Sequence, residues 1–185
     1  SFYGPDIQAL AARIESDDFG PAVERGARTD HDLSEAYMAS IASASRLTST
    51  KLKVVVDAGN GSAGPLGLAT LRHLGFEPEA LYCDIDGRFP NHHPDPTVPE
   101  NLTVLRERVL ATGAHLGLAW DGDGDRLGAI DPTGEIVWGD KLLLLFARAL
   151  LQERPGAAIL GEVKCSQTLY DDCLLYTSPS PRDQR

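Results

Sequence analysis

Lys53-Val54-Val55-Val56-Asp57-Ala58-Gly59-Asn60-Gly61-Ser62-Ala63-Gly64 is the stretch that decides the fold. Its first half is a short β-branched run without polar alternation, the pattern of a buried parallel strand. Its second half is a tight glycine turn. Leu66 to Leu74 then continue as an amphipathic helix, closed by Gly75. Strand, turn and helix in that order form the repeating unit of an α/β layer.

The same alternation runs downstream. Glu79 to Cys83 reads as a second strand, and Gly87 to Pro99 as a loop stiffened by Pro90, Pro94, Pro96 and Pro99. Glu100 to Ala111 reads as a helix stopped at Gly113, and His115 to Trp120 as a third strand. Leu127 to Ile130 and Glu135 to Trp138 suit a hairpin about Pro132-Thr133-Gly134. Asp140 to Gln152 reads as a helix, and Ala158 to Glu162 as the opening of another strand. The expected fold is therefore α/β, a layered helix and sheet domain over about 50–155.

Upstream, Ile7, Leu10, Ala11 and Ile14 recur at helical spacing. A second helix spans Asp32 to about Ser45, with Asp32 or Ser34 available as its cap. Ser43 to Thr50 is a polar joint and a plausible boundary. The other end differs in character: Cys173 to Arg185 holds the Ser/Pro-rich Thr177-Ser178-Pro179-Ser180-Pro181-Arg182-Asp183 and is expected to be disordered.

Composition narrows the function. A hydrophobic fraction of 42% suits a globular core. The formal net charge of −10 argues against a nucleic-acid binder, which needs a basic face. It does not exclude an anionic small ligand, because a local site or a metal ion can reverse the field. No apolar run reaches the roughly 18 to 20 residues of a membrane span. Cys83, Cys165 and Cys173 are widely spaced and form no CxxC pair, which fits reduced thiols in a cytoplasm.

Asp121-Gly122-Asp123-Gly124-Asp125-Arg126 carries the chemistry. Three carboxylates this close repel one another, and a hard divalent cation relieves the repulsion. The glycines let the loop curl around one ion. The loop follows a strand, where open α/β sheets place their ligands. Arg126 adds a planar positive fork suited to phosphate. A calcium-binding EF-hand is excluded, since it requires Gly at position 6 and Glu at position 12, where Arg126 and Pro132 stand. The bland alternative is an acidic surface turn that holds nothing.

Two further motifs invite other readings. Gly59, Gly61 and Gly64 form a G-x-G-x-x-G, with Asp84 about twenty residues on, as in a dinucleotide-binding domain. That reading leaves Asp121, Asp123, Asp125 and Arg126 without a task, and it puts Asp57 near a pyrophosphate. Glycines that simply tighten the turn are the preferred explanation. Phe89-Pro90-Asn91-His92-His93-Pro94-Asp95-Pro96 could offer zinc ligands. Adjacent histidines rarely converge on one ion, so a proline-stiffened structural loop is preferred, and no role is assigned to His92 or His93.

Taken together, Asp57-Ala58-Gly59-Asn60-Gly61, the Phe89 to Pro96 loop and the Asp121 to Arg126 loop resemble the α-D-phosphohexomutase family of the bacterial phosphomannomutase/phosphoglucomutase type. Their order and spacing are similar, and the resemblance covers about residues 1–172. It implies a mixed sheet like that of the family's second domain, with fragments of its flanking domains. Residues 1–46 correspond to the end of the first domain, 47–155 to the second, 156–172 to the start of the third, and 173–185 to a tail unlike the family. The resemblance also implies that Asp121, Asp123 and Asp125 hold Mg²⁺ and that Arg126 contacts phosphate.

The family's reaction is intramolecular phosphoryl transfer between O1 and O6 of a mannose or glucose phosphate, through a phosphoserine in a Ser-His-Asn-Pro-like loop. That loop does not occur in this sequence, and neither does the family's Gly-Glu-Met-Ser-Gly-His-like sugar loop; Gly161-Glu162-Val163-Lys164-Cys165-Ser166 is only a superficial lookalike. No catalytic residue is therefore assigned, and the fragment alone is expected to be inactive. A dinucleotide-binding domain and a non-catalytic metal-binding module remain the alternatives.

Overall fold

A computed structural model describes residues 3–20, 26–47 and 51–177. The chain divides into two compact units, Ser1–Leu33 and Ser34–Arg185. The first holds helix α1, Pro5–Glu15, on the expected periodic face. Pro5 starts the helix, where its missing N–H costs nothing. Ser16 ends it, its hydroxyl donating to the Ala12 carbonyl at 2.8 Å.

The second unit holds the remaining elements. They are α2 (Ser34–Ala44), β1 (Val54–Asp57), α3 (Ala63–His73), β2 (Glu79–Leu81), a 3-10 turn (Pro99–Leu102), α4 (Thr103–Thr112), β3 (Leu116–Trp120), β4 (Leu127–Ile130), β5 (Ile136–Val137), α5 (Gly139–Glu153) and α6 (Gln167–Thr177). Helix α2 packs on α3. The compact unit therefore begins at Ser34, ahead of the polar joint read from Ser43 to Thr50.

The sheet order is β2-β1-β3-β4-β5. Strands β1, β2 and β3 are parallel, while β4 and β5 are antiparallel to their neighbours, so the sheet is mixed as expected. Strand β1, between β2 and β3, is buried on both faces, which explains its unbroken apolar run. Val55 faces a core with Leu105, Val109 and Ile130, whereas Val54 and Val56 face a second core with Leu68 and Phe76. Helix α4 thus covers one face and α3 the other, an α/β/α sandwich. Burying each such aliphatic side chain stabilises the fold by about 1.5–3 kcal/mol.

Helix α4 stops where Gly113 turns left-handed at φ 62°, and the Ala114 N–H reaches back to the Val109 carbonyl at 3.0 Å. The hairpin turns as expected at Asp131–Glu135. Asp131 Oδ1 accepts from the Thr133 N–H at 2.8 Å, the Thr133 hydroxyl at 2.7 Å and the Glu135 N–H at 3.0 Å.

Two expectations are corrected. Ala158 to Glu162 is not a strand, and Leu160 is 90% exposed. A lone extended segment leaves its backbone groups unpaired, and among the described residues none of the five strands adds this segment to the sheet. The expected disorder of Cys173 to Arg185 fails in its first part, because α6 continues to Thr177. Residues 178–185 lie outside the described residues.

Candidate metal centre

Three parallel strands end at one edge of the sheet, and each delivers its loop to the same place. Asp57 at the end of β1 lies level with Leu81 of β2 and Ala119 of β3. The loops that follow, 58–62, 82–98 and 121–126, therefore start side by side. This is the edge where α/β sheets hold ligands.

Asp121 follows β3 directly and is only 1% exposed. Its Oδ1 accepts the Arg126 backbone N–H at 2.9 Å, and its Oδ2 accepts Arg126 Nε at 2.7 Å. The Asp121 N–H donates in turn to the Arg126 carbonyl at 3.3 Å, closing the loop at its base. Gly124, at φ 80°, makes the return turn, and its N–H donates to the Asp121 carbonyl at 3.1 Å. Only a residue without a β-carbon takes that backbone readily.

This closure brings Asp121, Asp123 and Asp125 together. One carboxylate oxygen from each lies within 4.8 Å of the other two. Asp121 is buried, whereas Asp123 and Asp125 are exposed. Charge on Asp123, and then on Asp121, pushes the Asp125 carboxyl up from its ordinary value. At Asp121, burial pushes upward, but the hydrogen bonds and charge of Arg126 outweigh it and hold the group below the ordinary range.

The donor set fits a hard divalent cation. All three donors are carboxylate oxygens, which Mg²⁺ and Ca²⁺ prefer. Arg126 offsets their mutual repulsion only in part at Asp125, and a bound cation would cancel the rest. Each Asp121 oxygen keeps a lone pair after serving Arg126.

The neighbouring loops grip the middle of the acidic loop. The Gly122 carbonyl accepts from the Ser62 N–H at 2.9 Å and from the Ser62 hydroxyl at 3.1 Å. The Gly122 N–H donates to the Pro94 carbonyl at 3.1 Å. A β-carbon on Gly61 would lie 2.8 Å from the Gly122 oxygen, and one on Gly64 would collide with the Cys83 backbone. These glycines admit protein backbone rather than a pyrophosphate, which removes the main support for a dinucleotide-binding turn.

Arg126 lies along the cluster, with Nε on Asp121 and Nη1 on Asp95 Oδ1 at 3.1 Å. Its side chain is half exposed. Asp95 also accepts from the Thr97 N–H at 3.0 Å and hydroxyl at 2.7 Å. The two histidines diverge. His92 Nε2 meets buried Asp57 at 3.0 and 3.1 Å, whereas His93 stands edge-on to Phe89 at 6.4 Å. Sequence reasoning missed the Asp57–His92 and Asp95–Arg126 pairs. The only signal was the density of polar residues between prolines in the Phe89 to Pro96 loop.

Comparison with known proteins gives consistent matches. A family model described as phosphoglucomutase/phosphomannomutase, alpha/beta/alpha domain II, matches residues 35–134. A phosphomannomutase/phosphoglucomutase of Pseudomonas putida is 47% identical over 163 residues, 88% of this chain and 35% of the relative. A phosphoglucomutase of Neisseria gonorrhoeae is 41% identical over 166 residues, 90% of this chain and 36% of the relative. A solved structure of a phosphoglucomutase/phosphomannomutase family protein from Burkholderia thailandensis aligns with a TM-score of 0.83 at 44% identity. It covers 94% of this chain and 37% of that one. The chain thus spans about a third of the length of these relatives.

Proposed function

Because the chain belongs to the phosphoglucomutase/phosphomannomutase family, we propose that it forms the metal-holding portion of a phosphohexomutase. The whole enzyme would move a phosphoryl group between O1 and O6 of a hexose phosphate. The names carried by the relatives support glucose or mannose phosphates as substrates. In this reading residues 1–33 end a first domain, α2 joins residues 47–155 in a second, and 156–172 begin a third. The free thiols Cys83 and Cys165 suit a cytoplasmic setting.

The observation that carries the proposal is the carboxylate cluster of Asp121, Asp123 and Asp125. These three would hold Mg²⁺. The bound ion would supply fixed positive charge against a phosphoryl group, where charge develops during transfer. Arg126 does two things of its own. Its Nε and backbone N–H fix the Asp121 carboxylate, and its half-exposed guanidinium offers a planar fork to a phosphate oxygen. Preorganisation of both charges by the fold spares the reaction that cost.

No Ser-His-Asn-Pro sequence occurs among the 185 residues. The phosphoserine of the proposed reaction would come from elsewhere in the polypeptide, and this chain alone is expected to lack mutase activity.

Calorimetric titration with Mg²⁺ and Mn²⁺ tests the reading. One divalent site is expected in the unmodified chain, weakened at least about tenfold in Asp123→Ala with the circular dichroism unchanged. Equal affinity in both proteins would remove the acidic loop from the function.

A further inference from the structure

We propose that Asp57 and His92 are the positioning pair that sets the acidic loop, joining two of the loops that hold it. The inference rests on the metal-holding role proposed for that loop, but its first test does not.

Asp57 ends β1 and is 1% exposed. Its Oδ1 accepts the Gly59 N–H at 2.8 Å. Both of its oxygens face His92 Nε2, across 35 residues of sequence. On the other side of the ring, Nδ1 lies 3.0 Å from the His93 carbonyl oxygen. Nε2 hydrogen-bonds the Asp57 carboxyl, so this nearly fully buried group is satisfied by the ring and the Gly59 N–H together.

The pair is largely enclosed. His92 is 17% exposed, and the edge of Tyr82 stands against its ring at 5.5 Å. Both ring nitrogens are already engaged, so neither is free to exchange a proton with a ligand. What the pair accomplishes is mechanical. It fastens the loop after β1 to the loop that follows β2, and those two loops hold the Gly122 peptide from opposite sides. Pro94, two residues beyond His92, takes the Gly122 N–H, while Ser62 takes the Gly122 carbonyl. Gly122 is the residue between Asp121 and Asp123, so its placement sets the separation of those carboxylates.

A second observation points the same way. Asn60, Tyr82 and Phe89 are non-glycine residues with φ of 63°, 51° and 49°, all in these two loops. Such backbone persists where its surroundings over-determine it, and it gathers at functional sites. Asn60 shows the means. Its Nδ2 donates to the Asp84 carbonyl at 2.9 Å, and its Oδ1 accepts from Asn91 Nδ2 at 2.7 Å. The two loops are thus tied by the side-chain bonds Asp57–His92, Asn60–Asp84 and Asn60–Asn91, and by backbone hydrogen bonds of Asn60 with Tyr82 and Asp86.

The test uses the whole 185-residue chain and three variants: His92→Phe, Asp57→Asn and His92→Gln. Amide hydrogen exchange at Gly122, followed by NMR without metal, is the first readout. His92→Phe and Asp57→Asn should speed it by about tenfold or more, leaving the Val55 and Ile130 amides of the sheet as they were. Mn²⁺ affinity is the second readout and should fall about tenfold in the same two variants. His92→Gln keeps an N–H for Asp57 and should recover most of both effects. Gly122 exchange within about twofold of the unmodified chain in both disruptive variants would overturn the proposal. An unmodified chain that binds no Mn²⁺ would end the metal reading alone, with Gly122 exchange still deciding this one. If the disruptive variants fail to fold, nitrogen-15 spectra of the unmodified chain decide. A slowly exchanging proton in the His92 Nε2–Asp57 hydrogen bond upholds the pair, and a ring whose Nε2 exchanges freely with solvent overturns it.

Discussion

Gly61→Ala probes the packing on which the site depends. A β-carbon at this position would lie 2.8 Å from the Gly122 oxygen, 2.9 Å from its α-carbon and 3.0 Å from the Ala58 oxygen. All three neighbours are backbone, so no flexible side chain can swing aside. Ordinary contact begins near 3.4 Å, and the acidic loop must retreat by about 0.5 Å. That motion stretches the Ser62–Gly122 hydrogen bond from 2.9 Å to about 3.4 Å, the weak end of the range. Overpacking of this kind costs about 1–3 kcal/mol, and the weakened bond adds up to about 1 kcal/mol. A total of about 1–4 kcal/mol corresponds, at an m-value of about 2 kcal/mol/M, to a loss of about 0.5–2 M in the urea midpoint. Mn²⁺ affinity should fall as well, because the displaced peptide separates Asp121 from Asp123. Gly113→Ala is the control. It sits at φ +62° with nothing within 4 Å of its added β-carbon. It should cost about 1–2 kcal/mol of backbone strain and leave Mn²⁺ binding alone. The reasoning is refuted if Gly61→Ala keeps the unmodified midpoint and affinity, or if Gly113→Ala disturbs Mn²⁺ equally.

Two more outcomes follow from the fold. Leu105→Ala removes a fully buried side chain from the core between α4 and the sheet and should destabilise by about 2–5 kcal/mol. Leu145→Ala, at a site 53% exposed, should change stability by less than about 0.5 kcal/mol; equal urea midpoints for the two would contradict the assigned core. Asp131→Ala tests the hairpin turn. Hydrogen bonds from Thr133 and Glu135 hold the Asp131 carboxyl below its ordinary value of 3.8. A depressed folded value means its stabilisation is present above that ordinary value and is lost as pH falls through the folded one. The variant should therefore melt lower than the unmodified chain at neutral pH, with the gap closing in acid, and a gap that is constant with pH would count against the turn's role.

Much of the site was legible because its chemistry is local in sequence. Asp121, Asp123 and Asp125 alternate with glycines, so one tight turn must gather their charges wherever it sits. The partners of that turn were not legible. Asp57 was read as an obstacle to a pyrophosphate and His92 as a residue without a role, since nothing in a linear chain pairs two residues 35 positions apart. The glycine turn misled for a related reason. Gly59, Gly61 and Gly64 signal that something comes close, but not whether it is a ligand or another loop.

Taken by itself, the sequence determined where helices and strands alternate, that Val54–Val56 lie in a buried parallel strand, and that a compact acidic turn follows the third strand. These follow from side-chain period, branching and spacing, which act over a few residues. Only the tertiary structure decided the strand order β2-β1-β3-β4-β5. It alone decided that Ala158–Glu162 stays outside the sheet, that Arg126 spans Asp121 and Asp95, and that Gly122 is gripped by Ser62 from 60 residues away. The physical reason is that a strand or a buried charge takes its energy from its partner, and the partner is known only once the chain has closed on itself.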